Sequence, residues 1–125
     1  MPKSNHPKKV KIGPYNYTIK EFPQGETSNH GACVYIHQEI YLNRNQSAER
    51  AADTLLHEVM HAVWDVAGLD QVPMLHEEVV VRAFATHLTD ILNSNPQLTD
   101  FILNPAKTWV PRYEKDPLKE AADES

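Results

Sequence analysis

SAERAADTLLHEVMHAVWDVAG, residues 47–68, is the stretch on which the reading of this chain turns. Ala52, Leu55, Leu56, Val59, Met60, Val63, Val66 and Ala67 recur at three- and four-residue intervals, the period of a helix that buries one face. Ser47 has the chemistry of an N-cap, Glu49 falls in the first turn, and Gly68 suits the position just past the C-terminus. The pattern predicts a helix over residues 48–67. Within it stand His57, Glu58 and His61 in the order H-E-x-x-H. Histidines at i and i+4 sit one turn apart on one face, so both imidazoles reach a single Zn²⁺ at about 2.0–2.1 Å. The glutamate between them is then placed to take a proton from water at that metal. The chain holds seven histidines and ten glutamates, and shuffling them would return the motif about once in thirty trials, so the helical context is what separates it from chance. At about 100° per residue the apolar arc centres near Val63 and Leu56, and both histidines fall outside it, facing a cleft. Trp64 lies beside that face, as a wall of the cleft or as plain core.

Outward from this helix the pattern changes. The first 46 residues read as short strands: Val10 and Ile12 alternate with lysines, Gly13-Pro14-Tyr15-Asn16 has turn chemistry, and Tyr17 and Ile19 resume the alternation. A second strand pair is expected over residues 32–36 and 39–43, the latter either an edge on which an extended peptide could pair or, equally, a plain core-covering strand. Downstream, Val80, Val81, Phe84, Ala85, Leu88, Ile91 and Leu92 form the stripe of a second helix over residues 74–93. Asn95 and Pro96 then suit the cap and first position of a third helix through Leu103. The expected fold is therefore α+β: a small N-terminal antiparallel sheet followed by the H-E-x-x-H helix and a second packed helix. Residues 1–104 form a single domain on this reading. Residues 105–125 are a tail whose last dozen residues are disordered, with Trp109, Val110 and Tyr113 strapping its start back onto the core.

Composition narrows the role. One core suffices for 125 residues, and 41% hydrophobic residues against 23% charged is ordinary for a globular chain. A net charge of −5 opposes sequence-independent binding to a nucleic acid. The lysines at 3, 8, 9 and 11 make a locally basic N-terminus, read as a solvated tail. The single cysteine, Cys33, has no partner for an internal disulfide, the start MPKSNHPKK lacks an apolar signal core, and no run spans a bilayer. The expected compartment is the cytoplasm, with no membrane partner.

A catalytic zinc keeps three protein ligands and an open position. The metzincin arrangement would need Gly at position 64 and His at 67, where Trp64 and Ala67 stand. The second helix instead opens on His76-Glu77-Glu78, 15 to 17 residues after His61. Glu77 falls at the centre of that helix's apolar stripe and Glu78 on its shoulder. Because the histidines lie beyond the shoulder of their own stripe, the zinc belongs at the rim where the helices diverge. That favours Glu78 over Glu77, with His76 third. A solvated helix start, where acidic residues complement the dipole, explains whichever of them is not a ligand.

Gly31-Ala32-Cys33, Glu39-Ile40-Tyr41-Leu42-Asn43, Thr54-Leu55-Leu56-His57-Glu58-Val59-Met60-His61-Ala62, Glu77-Glu78, Phe84-Ala85 and Asn95-Pro96 together resemble the small zinc metallopeptidases encoded in bacteriophage and prophage genomes. These are compact zincins with a gluzincin-like ligand set, more distantly similar to ImmA/IrrE-like and SprT-like peptidases. The resemblance spans residues 30–97, and T-L-L-H-E-x-x-H-A is its specific part. It implies His57 and His61 as zinc ligands, Glu58 as general base, and one of Glu77 or Glu78 as third ligand. Val80 stands where the ImmA-like pattern has glutamate, which leaves the subfamily open. The leading expectation is a zinc-dependent peptidase, with one Zn²⁺ per chain and a protein or peptide substrate. The alternative is a non-catalytic, zinc-stabilised interaction module that binds a host factor or repressor. His30, His37, Tyr35, Tyr41, His76 and His87 have the chemistry to stabilise an oxyanion, and sequence brings none of them to the site.

Overall fold

The computed structural model describes residues 5–73 and 77–113, without the side chains of Glu77, Glu78, Val81, Arg82 and Ala85. Four strands come first: β1 (Lys9–Ile12), β2 (Tyr15–Glu21), β3 (Gly31–Val34) and β4 (Glu39–Leu42). Three helices follow, α1 (Ala48–Val66), α2 (Glu77–Ser94) and α3 (Pro96–Leu103). The architecture is α+β, a small sheet followed by helices. The chain from residue 114 onward, with the expected disorder, lies outside the described residues, as does His76.

The β1–β2 hairpin turns at Gly13, whose φ of 59° is the left-handed conformation that costs glycine nothing. Its register pairs Val10 with Tyr17 and Ile12 with Tyr15. The sheet order is β1-β2-β4-β3, with β2 and β4 parallel and the other pairs antiparallel. The sheet is therefore mixed rather than antiparallel throughout, and β4 is central: of its two expected roles, edge or core-covering strand, the second holds. Residues 22–30 carry the chain past one strand position to the far edge. There β3 runs down and β4 returns between it and β2, bonding Ile40 beside Ile19 and Cys33. Burial accords with the order: Ile40 and Leu42 are fully buried, while every residue of β3 is only partly so, and the strand with the two large aliphatic side chains takes the central position. The expected strand over residues 32–36 stops at Val34. Tyr35–His37 instead form a turn of 3₁₀ helix, closed by Gln38 in the left-handed region at φ 54°.

In α1 the side chain of Ser47 accepts a hydrogen bond from the Arg50 amide at 3.2 Å, and Gly68 follows the helix at φ 72°. Both ends are closed by the residues that the sequence offers for it. The helix lays Ala48, Ala51, Ala52, Leu55, Val59, Ala62 and Val63 into the core with Val10, Ile12, Tyr17, Ile19, Ile40 and Leu42. Alanine at four of these helical positions lets the backbone come close to the sheet. Ile91 of α2 and Leu98 and Phe101 of α3 close the core from the other side. Asn95 precedes α3 as expected, but its side chain does not cap that helix. Its Oδ1 accepts from the Lys11 amide at 3.0 Å, and its Nδ2 donates to the carbonyls of Ile91 and Lys11.

The start of the expected tail is part of this core. Trp109 is 3% exposed, and its Nε1 donates to the Gln46 carbonyl at 3.1 Å. Beside it the Glu21 carboxylate faces His6, Arg44 and Arg112 at 3.2, 3.4 and 3.9 Å, tying both chain ends to β2. The Val110 carbonyl accepts from Arg44 Nε, but Tyr113 stays 65% exposed and straps nothing down.

Candidate metal centre and its cleft

His57 and His61 both lie on the exposed face of α1, as the helical spacing requires. Their Nε2 atoms are 3.1 Å apart, with ring centroids at 4.7 Å and planes at 78°. An ion about 2.0–2.1 Å from each nitrogen would see them at an angle of about 100°, close to tetrahedral, so the pair fits two positions of a zinc shell. Glu58, between them in sequence, is 8% exposed and lines a hollow together with His57. Burial pushes its carboxyl above the ordinary carboxylate range, and the two imidazoles pull it partly back.

Gly31 explains how a carboxylate comes to be covered here. A Cβ on Gly31 would lie 2.6 Å from Thr54 Cγ2, 2.9 Å from the Tyr41 carbonyl oxygen and 3.3 Å from Glu58 Cγ. Only a bare backbone lets β3 approach α1 at this point. Gln46 holds the approach in place: its Oε1 accepts from Thr54 Oγ1 at 3.0 Å, and its Nε2 donates to the carbonyls of Asn43 and His30. Cys33, two residues along β3, is pushed up to about 12 by burial, with the negative charges of Glu58 and Asp65 adding to it.

His57 stands between two hollows. The larger, about 570 Å³, is lined by Tyr35, His57, Met60, His61, Trp64, Asp70 and Phe84. The smaller, about 340 Å³, is lined by Asn29, His30, Gly31, Arg50, Asp53, Thr54, His57 and Glu58. Trp64 thus lines the histidine side, packed at 6.1 Å against Phe84 of α2, and Met60 joins it while Val59 is core. Of the six residues with oxyanion-stabilising chemistry, Tyr35 and His30 border the hollows. Tyr41 donates its hydroxyl to Glu39, and His37 and His87 line neither hollow.

Glu77 and Glu78 open α2, but their side chains, like the whole of His76, lie outside what is described. Among the described residues no third His, Cys, Asp or Glu gathers with the histidine pair. Asn29, Arg50, Asp53 and Asp70 border the site without having been singled out in the sequence. Arg50 and Asp53 lie two turns and one turn before His57 on the same helix, a spacing that could have marked them. Asn29 sits in a loop and Asp70 in the short 3₁₀ turn Leu69–Gln71, and neither leaves a periodic signal. No helix among the described residues is long and apolar enough to cross a membrane. No family model, curated protein or solved structure matches the chain.

Proposed function

We propose that this protein is a zinc-dependent peptidase acting in the cytoplasm. One observation carries the reading: two exposed imidazoles with facing Nε2 atoms 3.1 Å apart, flanking a carboxylate that the fold has buried beside an open cleft. A surface histidine pair without a function has no need of a covered glutamate, because burying a carboxylate is costly unless its proton affinity is used.

His57, His61 and one of Glu77 or Glu78 would hold the metal, with Glu78 preferred. Zinc, when bound, supplies Lewis acidity towards water and towards the substrate carbonyl. Glu58 provides the base. With its proton affinity raised by burial, its carboxylate takes a proton from the attacking water and hands it to the leaving amine. Among the described residues β3 is an edge strand of the sheet that runs alongside, and an extended peptide would pair with that edge. The resemblance to phage-encoded zincins points to the same chemistry.

The test is the zinc content of the purified chain and of Glu77→Ala and Glu78→Ala, together with proteolysis by Glu58→Gln. About one zinc per chain, lost in one glutamate variant only, and a Glu58→Gln protein that keeps zinc but cleaves nothing, would support the reading. Proteolysis retained in Glu58→Gln would refute the mechanism. A chain that takes up zinc but cleaves nothing would leave the zinc-stabilised interaction module as the better account, and a chain that takes up no zinc would refute both.

A further inference from the structure

The two hollows differ in chemistry, and their order along the cleft is set by the direction of β3. Gly31, at the start of β3, lies against Thr54 and Glu58, while Tyr35, just past its end, shares the larger hollow with His61 and Trp64. Strand and helix therefore run the same way. Antiparallel pairing is the commoner way for strands to add, by two- to threefold. A peptide so added to the β3 edge has its N-terminal part at the Tyr35–Trp64 end and its C-terminal part at the His30–Arg50 end. The first end is walled by Met60, Trp64 and Phe84. The second is polar, with Arg50 Nη1 at 3.2 Å from His30 Nε2 and Asp53 in the same lining.

We infer that the residue preceding the cleaved bond is a large apolar one, seated against Trp64 and Phe84, and that the residues following it are polar. This rests on the peptidase reading above. A hollow of about 570 Å³ accommodates a phenylalanine or leucine side chain with room to spare. His57 and His61 at its rim place the carbonyl of that residue next to the metal position. Trp64 and Phe84 are thus specificity-determining residues, and they act on the choice of peptide rather than on the chemistry.

Two measurements on the zinc-loaded protein test this. The first digests a randomised decapeptide library and sequences the products by mass spectrometry. Phe, Leu, Met or Trp should precede the cut, favoured over Gly or Ser by about ten- to a hundredfold. That preference should collapse in Phe84→Ala and Trp64→Ala, whose zinc content is unchanged. A preference that falls on the residue after the cut, or a polar residue before it, overturns the proposal. The second follows Trp64 fluorescence while N-acetyl-phenylalanine hydroxamate or N-acetyl-glycine hydroxamate is added to the wild type and to Phe84→Ala. Tighter binding of the phenylalanine compound, lost in Phe84→Ala, is expected even if no library peptide is cut, which would refute peptidase activity alone. Equal affinities overturn the seating of an apolar side chain, and a chain that takes up no zinc overturns both readings together.

Discussion

Gly31 and Glu58 meet where the edge strand crosses the helix, so closely that a single added Cβ at Gly31 would come within 3.3 Å of the Glu58 side chain. The same contact keeps the carboxylate covered and aligns the open edge of β3 with the histidine pair. One glycine therefore sets the position of both the edge strand and the buried carboxylate.

Gly31→Ala should force β3 away from α1. Its new methyl would overlap Thr54 and the Tyr41 carbonyl, and the backbone there has little freedom to give. Overpacking of this kind costs about 1–3 kcal/mol. Urea unfolding should show a lower midpoint with an unchanged slope.

His57→Ala and His61→Ala should each abolish stabilisation by zinc. A metal that binds the folded chain alone raises stability by about 2.7 kcal/mol at a hundred times its dissociation constant. Addition of zinc to the wild type should accordingly raise Tm, and the rise should vanish in either variant. An equal rise in both would place the metal elsewhere.

Trp109→Ala should behave as a core truncation although it lies beyond the last long helix. The ring is 3% exposed, packs 6.1 Å from Phe101 and donates to the Gln46 carbonyl. Loss of a buried tryptophan costs about 3–5 kcal/mol. Because Gln46 also braces Thr54 and β3, thermal unfolding monitored by circular dichroism should drop steeply, with zinc affinity weakened alongside.

Alkaline pH should destabilise the fold through Cys33 and Tyr17. Burial pushes the thiol from 9.0 to about 12 and the phenol from 10.0 to about 12. The folded chain thus keeps protons that the unfolded chain releases, and stability falls as pH rises from about 9 towards 12. Tm measured against pH should decline from about pH 9, and Cys33→Ala should delay the decline until the tyrosine begins to contribute near 10. At pH 8 the folded thiol should react with iodoacetamide about a thousandfold more slowly than an ordinary one, because its thiolate fraction is smaller in that proportion.

The legible parts of this protein are those written at short range. Ser47, the three- and four-residue apolar spacing and Gly68 mark α1 from end to end, and the same period places His57 and His61 on its exposed face. The β1–β2 hairpin is announced by Gly13 and Pro14, and α3 by Pro96. Cβ directions one turn apart on a helix, or two residues apart on a strand, follow from backbone geometry alone. No distant residue can alter them.

What the chain folded in three dimensions adds is long-range. Strand order depends on which strand wins the covered position, and Ile40 and Leu42 took it for β4, leaving β3 as the edge. Asn95 looked like the cap of α3 and instead bonds the Lys11 backbone in β1 and the Ile91 carbonyl in the last turn of α2, because a backbone 84 residues away arrived within reach. Trp109 is legible as a large side chain strapping the tail back onto the core, and it is buried as expected, but its partners, Phe101 and the Gln46 carbonyl, are decided by the packing. The polar and apolar hollows on either side of His57 draw on α1, on α2 and on the loops at residues 27–30 and 69–71. Local spacing specifies which side chains share a face, and only the packing of one face against another decides what each side chain meets.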